Sequence, residues 1–94
     1  MKEEYQIIID KQIAAKIDKN TSKDRILLQR VRKTFQTLKT HPYYPGLKTH
    51  KVRSKAKNPA LASWEDSDFR IIWEFSQHGA ISILDFGTHK EVYL

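Results

Sequence analysis

Residues 69–75, Phe-Arg-Ile-Ile-Trp-Glu-Phe, constrain the fold of this chain most. In an extended backbone they put Phe69, Ile71, Trp73 and Phe75 on one side and Arg70, Ile72 and Glu74 on the other. A strand with one wholly apolar face must bury it against another layer. A turn at 76–79 and a second apolar strand, Ile81 to Phe86, extend that surface. The cover is legible upstream. Leu27, Val31, Phe35 and Leu38 recur at i, i+4, i+8 and i+11, one stripe along a helix. Thr21 or Ser22 is its expected N-cap, with Asp24 three residues after Thr21, close to a capping box. Ahead of it, Tyr5 to Ile9 reads as a β-branched strand, and Asp10 caps a short helix carrying Ile13, Ala14 and Ile17.

The middle of the chain is less regular. Pro42 ends the long helix, and residues 41–46, His-Pro-Tyr-Tyr-Pro-Gly, form a loop. Leu47 to Arg53 is strand-like, but Leu47 and Val52 are five apart and cannot share a face of a regular strand. A bulge, or a strand starting later near Thr49, resolves this. Residues 54–63 read as a flexible polar connection, and Val92 to Leu94 as a last short strand or a docked tail. The predicted order is β-α-α-β-β-β. It describes a single α+β domain over 1–94, a helical hairpin packed on one face of a small, mainly antiparallel sheet, with Arg70 on the open face.

At 94 residues the core is modest, and a doubly wound nucleotide-binding architecture is excluded. There is no cysteine, hence no disulfide, thiolate metal site or Cys nucleophile. The start of the chain has too short an apolar run for a signal peptide, and no window spans a membrane, so a cytoplasmic protein is expected. Charge is unevenly placed. From Arg25 to Trp64 there is no Asp or Glu but there are ten Lys and Arg, while the remainder is net acidic. Such a block is the electrostatic footprint of a polyanion binder, or, more plainly, a solvated basic face.

No phosphate loop, dinucleotide fingerprint or metalloprotease motif occurs. His41, His50, His78 and His89 are too dispersed in sequence for a local metal cluster. What remains is a set of bases on strands: Lys48, His50, Lys51 and Arg53, then Arg70, then His89 and Lys90. Arg70 weighs most, because its neighbours face the core and a planar guanidinium held by a strand suits phosphate. The plainer role for it is an ion pair with Glu74 or Asp85, or a place on a solvated face. Tyr43 and Tyr44 are placed either to stack on bases or to cover the edge of the core.

Three segments, PGLKTHKV (45–52), SWEDSDFRIIWEF (63–75) and ISILDFGTHKEVY (81–93), resemble the RelE/ParE superfamily of toxins from bacterial type II toxin–antitoxin modules. The resemblance implies a RelE-like fold and an mRNA interferase, a hydrolase acting as an endoribonuclease on mRNA in the ribosomal A site. In that chemistry a 2′-hydroxyl attacks the adjacent phosphate and the 5′-oxygen leaves, without cofactor or metal. A base, an acid and cations for the phosphorane charge are required. Carried over by motif, Arg70 is the phosphate-stabilising arginine, Lys48 and Lys51 are the basic residues of the preceding strand, and His89 is the acid or base. His50, Arg53, Lys55, Lys57, Lys90, Tyr43 and Tyr44 are the expected RNA contacts. The implied protein partner is a cognate antitoxin, an acidic chain meeting residues 25–57 or displacing 89–94. Two departures stand out. Residues 43–48 offer no carboxylate as base, and Lys90, not tyrosine, follows His89. The base therefore stays open among His89, His50 and a lysine. A ParE-like gyrase poison without nuclease residues and a non-catalytic RNA-binding module are the competing functions.

Overall fold

Asp10 stops the first strand and starts the first helix, because its carboxylate accepts the Ile13 amide at 2.9 Å and satisfies a donor the helix leaves open. In the computed structural model, which describes residues 4–64 and 68–94, β1 (Gln6–Ile9) is followed by α1 (Lys11–Thr21) and α2 (Arg25–Thr40). After a 3-10 turn at Pro45–Leu47 come β2 (His50–Val52), β3 (Ala60–Ser63), β4 (Phe69–Ser76), β5 (Ala80–Thr88) and α3 (His89–Val92). The fold is α+β. The strands form one mixed sheet in the order β1-β5-β4-β3-β2, with β1 parallel to β5 and the other pairs antiparallel. Gly79 closes the β4–β5 turn at φ +70°, a backbone conformation that costs a glycine nothing.

The helical hairpin covers one face of the sheet. Ile13 and Ile17 of α1 and Leu27, Val31 and Leu38 of α2 pack with Ile71, Trp73, Ile81, Ile83 and Phe86. The stripe of α2 is tighter than expected. Thr34, not Phe35, is its third buried position, and Phe35 is half-buried at the margin. Spacing of 4, 3 and 4 tracks one helical face better than 4, 4 and 3 does. Thr34 tolerates burial because its hydroxyl donates to the Arg30 carbonyl at 2.8 Å. The N-cap of α2 is Asp24, which accepts the Leu27 amide, whereas Thr21 closes α1 and Ser22 is its C-cap. Helix α2 ends at Thr40, just ahead of Pro42, and β2 starts at His50, the later of the two expected solutions.

Two expectations change, and Val92 to Leu94 takes the docked-tail alternative. Residues 54–63 are not merely a connection, since Ala60–Ser63 is β3, inserted between β2 and β4. Alanine is a poor strand former, but its small side chain is what this strand requires, because Ala60 and Ala62 lie beneath Val92. The terminal segment forms the short helix α3 and then docks on residues 53–55. Lys55 N donates to Val92 O at 2.8 Å and Leu94 N to Arg53 O at 2.9 Å. As a result the second face of the sheet is not open. Val92, 1% exposed, sits with Ala60, Ala62 and Ile72 in a second apolar cluster. No helix among the described residues is long and apolar enough to cross a membrane.

Candidate functional site

The ladder between β4 and β5 builds the site. Arg70 pairs with Gly87 and Phe69 with Thr88, so the residues leaving β5 into α3 lie beside the start of β4. Directly paired residues share a face. Arg70 therefore projects on the α3 side of the sheet, away from Phe69 and Ile71, as its alternation requires. There a cleft of about 450 Å³ is lined by Asp68, Arg70, Thr88, His89 and Lys90. Arg70 and His89, nineteen positions apart in the chain, are thus brought together, with Lys90 alongside.

Each wall of the cleft is anchored. Arg70 is partly buried, and its Nη1 donates to the carbonyl of Phe69 at 2.9 Å, which fixes the guanidinium close to its own strand. The plainer role as an ion-pair partner of Glu74 or Asp85 is not realised. Glu74 is engaged by the Lys57 ammonium, and Asp85 by Lys16 of α1 at 2.7 Å. The backbone N–H of His89 donates to Asp68 O at 3.3 Å, which ties the opening of α3 to the loop before β4. Thr88 caps α3, and Glu91 Oε1 accepts both the Thr88 amide, at 2.8 Å, and its hydroxyl, at 3.0 Å. The amide bond foremost, then the hydroxyl bond, holds the Glu91 carboxyl below its ordinary value. One turn later Tyr93 meets the His89 imidazole edge to face, centroids 4.4 Å apart, and steadies the ring.

The other expected residues divide between the two faces. His50 pairs with Ala62, which aligns with Ile72, so it faces the same side as Arg70 from the edge strand β2. Lys51 pairs with Leu61, which aligns with Trp73, and faces the opposite side. The assignment of Lys51 as a partner of Arg70 is therefore corrected, since the two-residue period of β2 sends neighbouring side chains to opposite faces. Lys48 is the left-handed residue that closes the 3-10 turn, and its carbonyl lies 2.7 Å from His50 Nδ1. Lys48 does not line the cleft. Lys55 reaches its rim, with Nζ bonded to the Lys90 carbonyl at 3.1 Å, while Lys57 is committed to Glu74. Arg53 is exposed, and its carbonyl holds the chain terminus. Tyr44 lines a separate recess with Arg30 and Lys33, and Tyr43 lies beside Lys51 and Phe75.

Asp68, Thr88 and Tyr93 join the site without any mark in the sequence pattern. Asp68 lies within the 63–75 segment, immediately before β4. Tyr93 follows His89 by four residues, the spacing that brings side chains together on a helix, and only the helical reading of 89–92 makes that spacing meaningful. Glu65, Asp66 and Ser67 of the strand motif lie outside the described residues.

The arrangement offers a recess lined by the Arg70 guanidinium, the His89 imidazole and the Lys90 ammonium. Guanidinium suits the charge of a phosphorane, and imidazole is the side chain whose proton moves near neutral pH. No protein-family model matches this chain, and no curated protein matches it significantly.

Proposed function

We propose that this chain is a toxin of the RelE/ParE type acting as an endoribonuclease on translated mRNA. The observation that carries the reading is the shared cleft of Arg70 and His89. One lies on β4 and the other nineteen positions later at the start of α3, and both line the same recess. In the proposed reaction the scissile phosphate sits against Arg70, whose guanidinium neutralises charge as the 2′-oxygen adds. The 5′-oxygen leaves with a proton, giving a 2′,3′-cyclic phosphate and a 5′-hydroxyl end. His89 is placed to take the first proton or supply the second, and Lys90 adds positive charge. The acid-free block on α2 and around β2 supplies further cations for the surrounding RNA, and an acidic antitoxin chain is the partner that would neutralise it.

The test is induced expression of wild type, Arg70→Ala and His89→Ala at matched levels, with growth and primer-extension mapping of mRNA ends. Loss of an aimed cation should cost about two to three decades in cleavage rate, so Arg70→Ala should grow and leave no ribosome-phased cuts. Continued arrest with phased cuts in Arg70→Ala refutes the site. Arrest by wild type without cuts, but with gyrase-linked DNA damage, replaces the proposed activity with gyrase poisoning.

A further inference from the structure

Phe75 belongs to the apolar face of β4, yet it is 41% exposed, because the helical hairpin covers Ile71 and Trp73 and stops short of it. It is the centre of a ring cluster. Trp73, fully buried, meets it edge to face at 5.0 Å, Tyr5 lies at 5.5 Å, and Tyr43 at 6.1 Å with its plane tilted by 39°. Tyr43 is itself 63% exposed. Rings so placed are an aromatic surface held rigid from below by the core. Beside them is a recess of about 200 Å³ whose walls include Tyr43, Lys51, Pro59, Leu61 and Phe75. Its acidic residue, Glu74, is occupied by Lys57. Lys51, an exposed cation from the acid-free block, is on its wall.

We infer that Tyr43, Phe75 and Lys51 form a base-stacking subsite for single-stranded RNA, on the face of the sheet opposite the Arg70 cleft. Exposed rings interleaved with a lysine match the two needs of a single strand, a π-face for a base and a cation for its phosphate. An apolar protein partner would leave the lysine and the tyrosine hydroxyl without a matching charge or donor. Continuity with the cleft comes from β2. It is an edge strand, and it carries His50 toward the Arg70 face and Lys51 toward the ring face, with Arg53 and Lys55 exposed just beyond. Arg70 and Phe75 are five positions apart along β4, about 17 Å of extended chain. An RNA strand leaving the cleft and rounding the β2 edge passes these bases before reaching the rings. The inference rests on the proposed function for its choice of RNA as ligand, but its readout is independent of cleavage.

The probe is a fluorescein-labelled 2′-O-methyl adenosine octamer, which lacks the attacking hydroxyl, compared with the same backbone carrying abasic residues. Wild type should bind the octamer about tenfold more tightly than its abasic counterpart. Tyr43→Ala should abolish that preference without altering the salt dependence, and Phe75→Leu, which keeps an apolar side chain over Trp73, should do the same. Lys51→Ala should weaken both probes equally and lower the salt slope. Equal binding of both probes by wild type overturns the inference, as does a preference that survives in Tyr43→Ala. Self-association lost in Tyr43→Ala, with no base preference, assigns the patch to a second copy of the chain and also overturns it. Arg70→Ala separates the two readings. Lost cleavage with no base preference in wild type removes only the stacking subsite, and base preference without any cleavage removes only the nuclease.

Discussion

Gly87→Ala isolates the packing of α3 against the sheet. Gly87 pairs with Arg70 and lies under α3, and a methyl group built on it meets Glu91 Oε1 at 3.0 Å, Glu91 Cβ at 3.2 Å and Val92 Cγ1 at 3.3 Å. Its backbone is not in the left-handed region, so alanine is conformationally permitted. Two effects then oppose each other. Alanine restricts the unfolded chain and contributes about 0.4–1 kcal/mol of stability. Overpacking costs about 1–3 kcal/mol, and Val92, 1% exposed and wedged over Ala60 and Ala62, has little room to retreat. The net expectation is a loss of about 1 kcal/mol, which in a domain of this size lowers the melting temperature by roughly 4–8 °C. Thermal unfolding followed by circular dichroism reads this directly. The cycle with Val92→Ala sharpens it, because removing Cγ1 should relieve part of the clash and leave a coupling of about 0.5 kcal/mol or more. A Gly87→Ala protein as stable as wild type, or one whose loss is unchanged in the Val92→Ala background, refutes the claim that α3 presses on the sheet here.

Three further outcomes follow from the same packing. Lys16→Met removes the ammonium from the largely buried Asp85, which keeps the Phe86 amide, and should cost about 1–3 kcal/mol in urea denaturation; an unchanged midpoint counts against the pair. Phe35→Ala, at a half-buried position, should cost about 2 kcal/mol, below the 3–5 kcal/mol range of roughly full burial, and a loss above that range would show that Phe35 is a core residue. Because the Glu91 carboxyl is held below its ordinary 4.5 by the Thr88 bonds, its contribution is complete above that value and fades as pH falls through the lower folded-state value. The stability difference between wild type and Glu91→Ala should therefore be largest near neutrality and vanish in acid, and a difference that grows on acidification contradicts the capping arrangement.

Elements whose pattern repeats locally are legible in the chain alone. Alternation from Phe69 to Phe75 put Arg70 opposite the hairpin, and the 3.6-residue stripe from Leu27 to Leu38 defined the covering helix, because both periods are properties of the backbone within a few residues. Whatever depends on partners distant in the chain is fixed only by packing and pairing. Ala60–Ser63 is a strand because β2 and β4 pair with it on both sides and α3 needs small residues beneath it, neither of which a polar, alanine-rich segment announces. Residues 89–92 are helical rather than extended because Thr88 and Glu91 satisfy each other's donors and acceptors and Val92 finds a cover. The candidate site follows the same division. Arg70 and His89 were legible as chemistry, but their meeting depends on the Arg70–Gly87 register, and which of His50 and Lys51 shares the face of Arg70 depends on the register of a three-residue edge strand. Register is set by pairing between segments, and a shift of one residue exchanges the faces of every side chain in the strand.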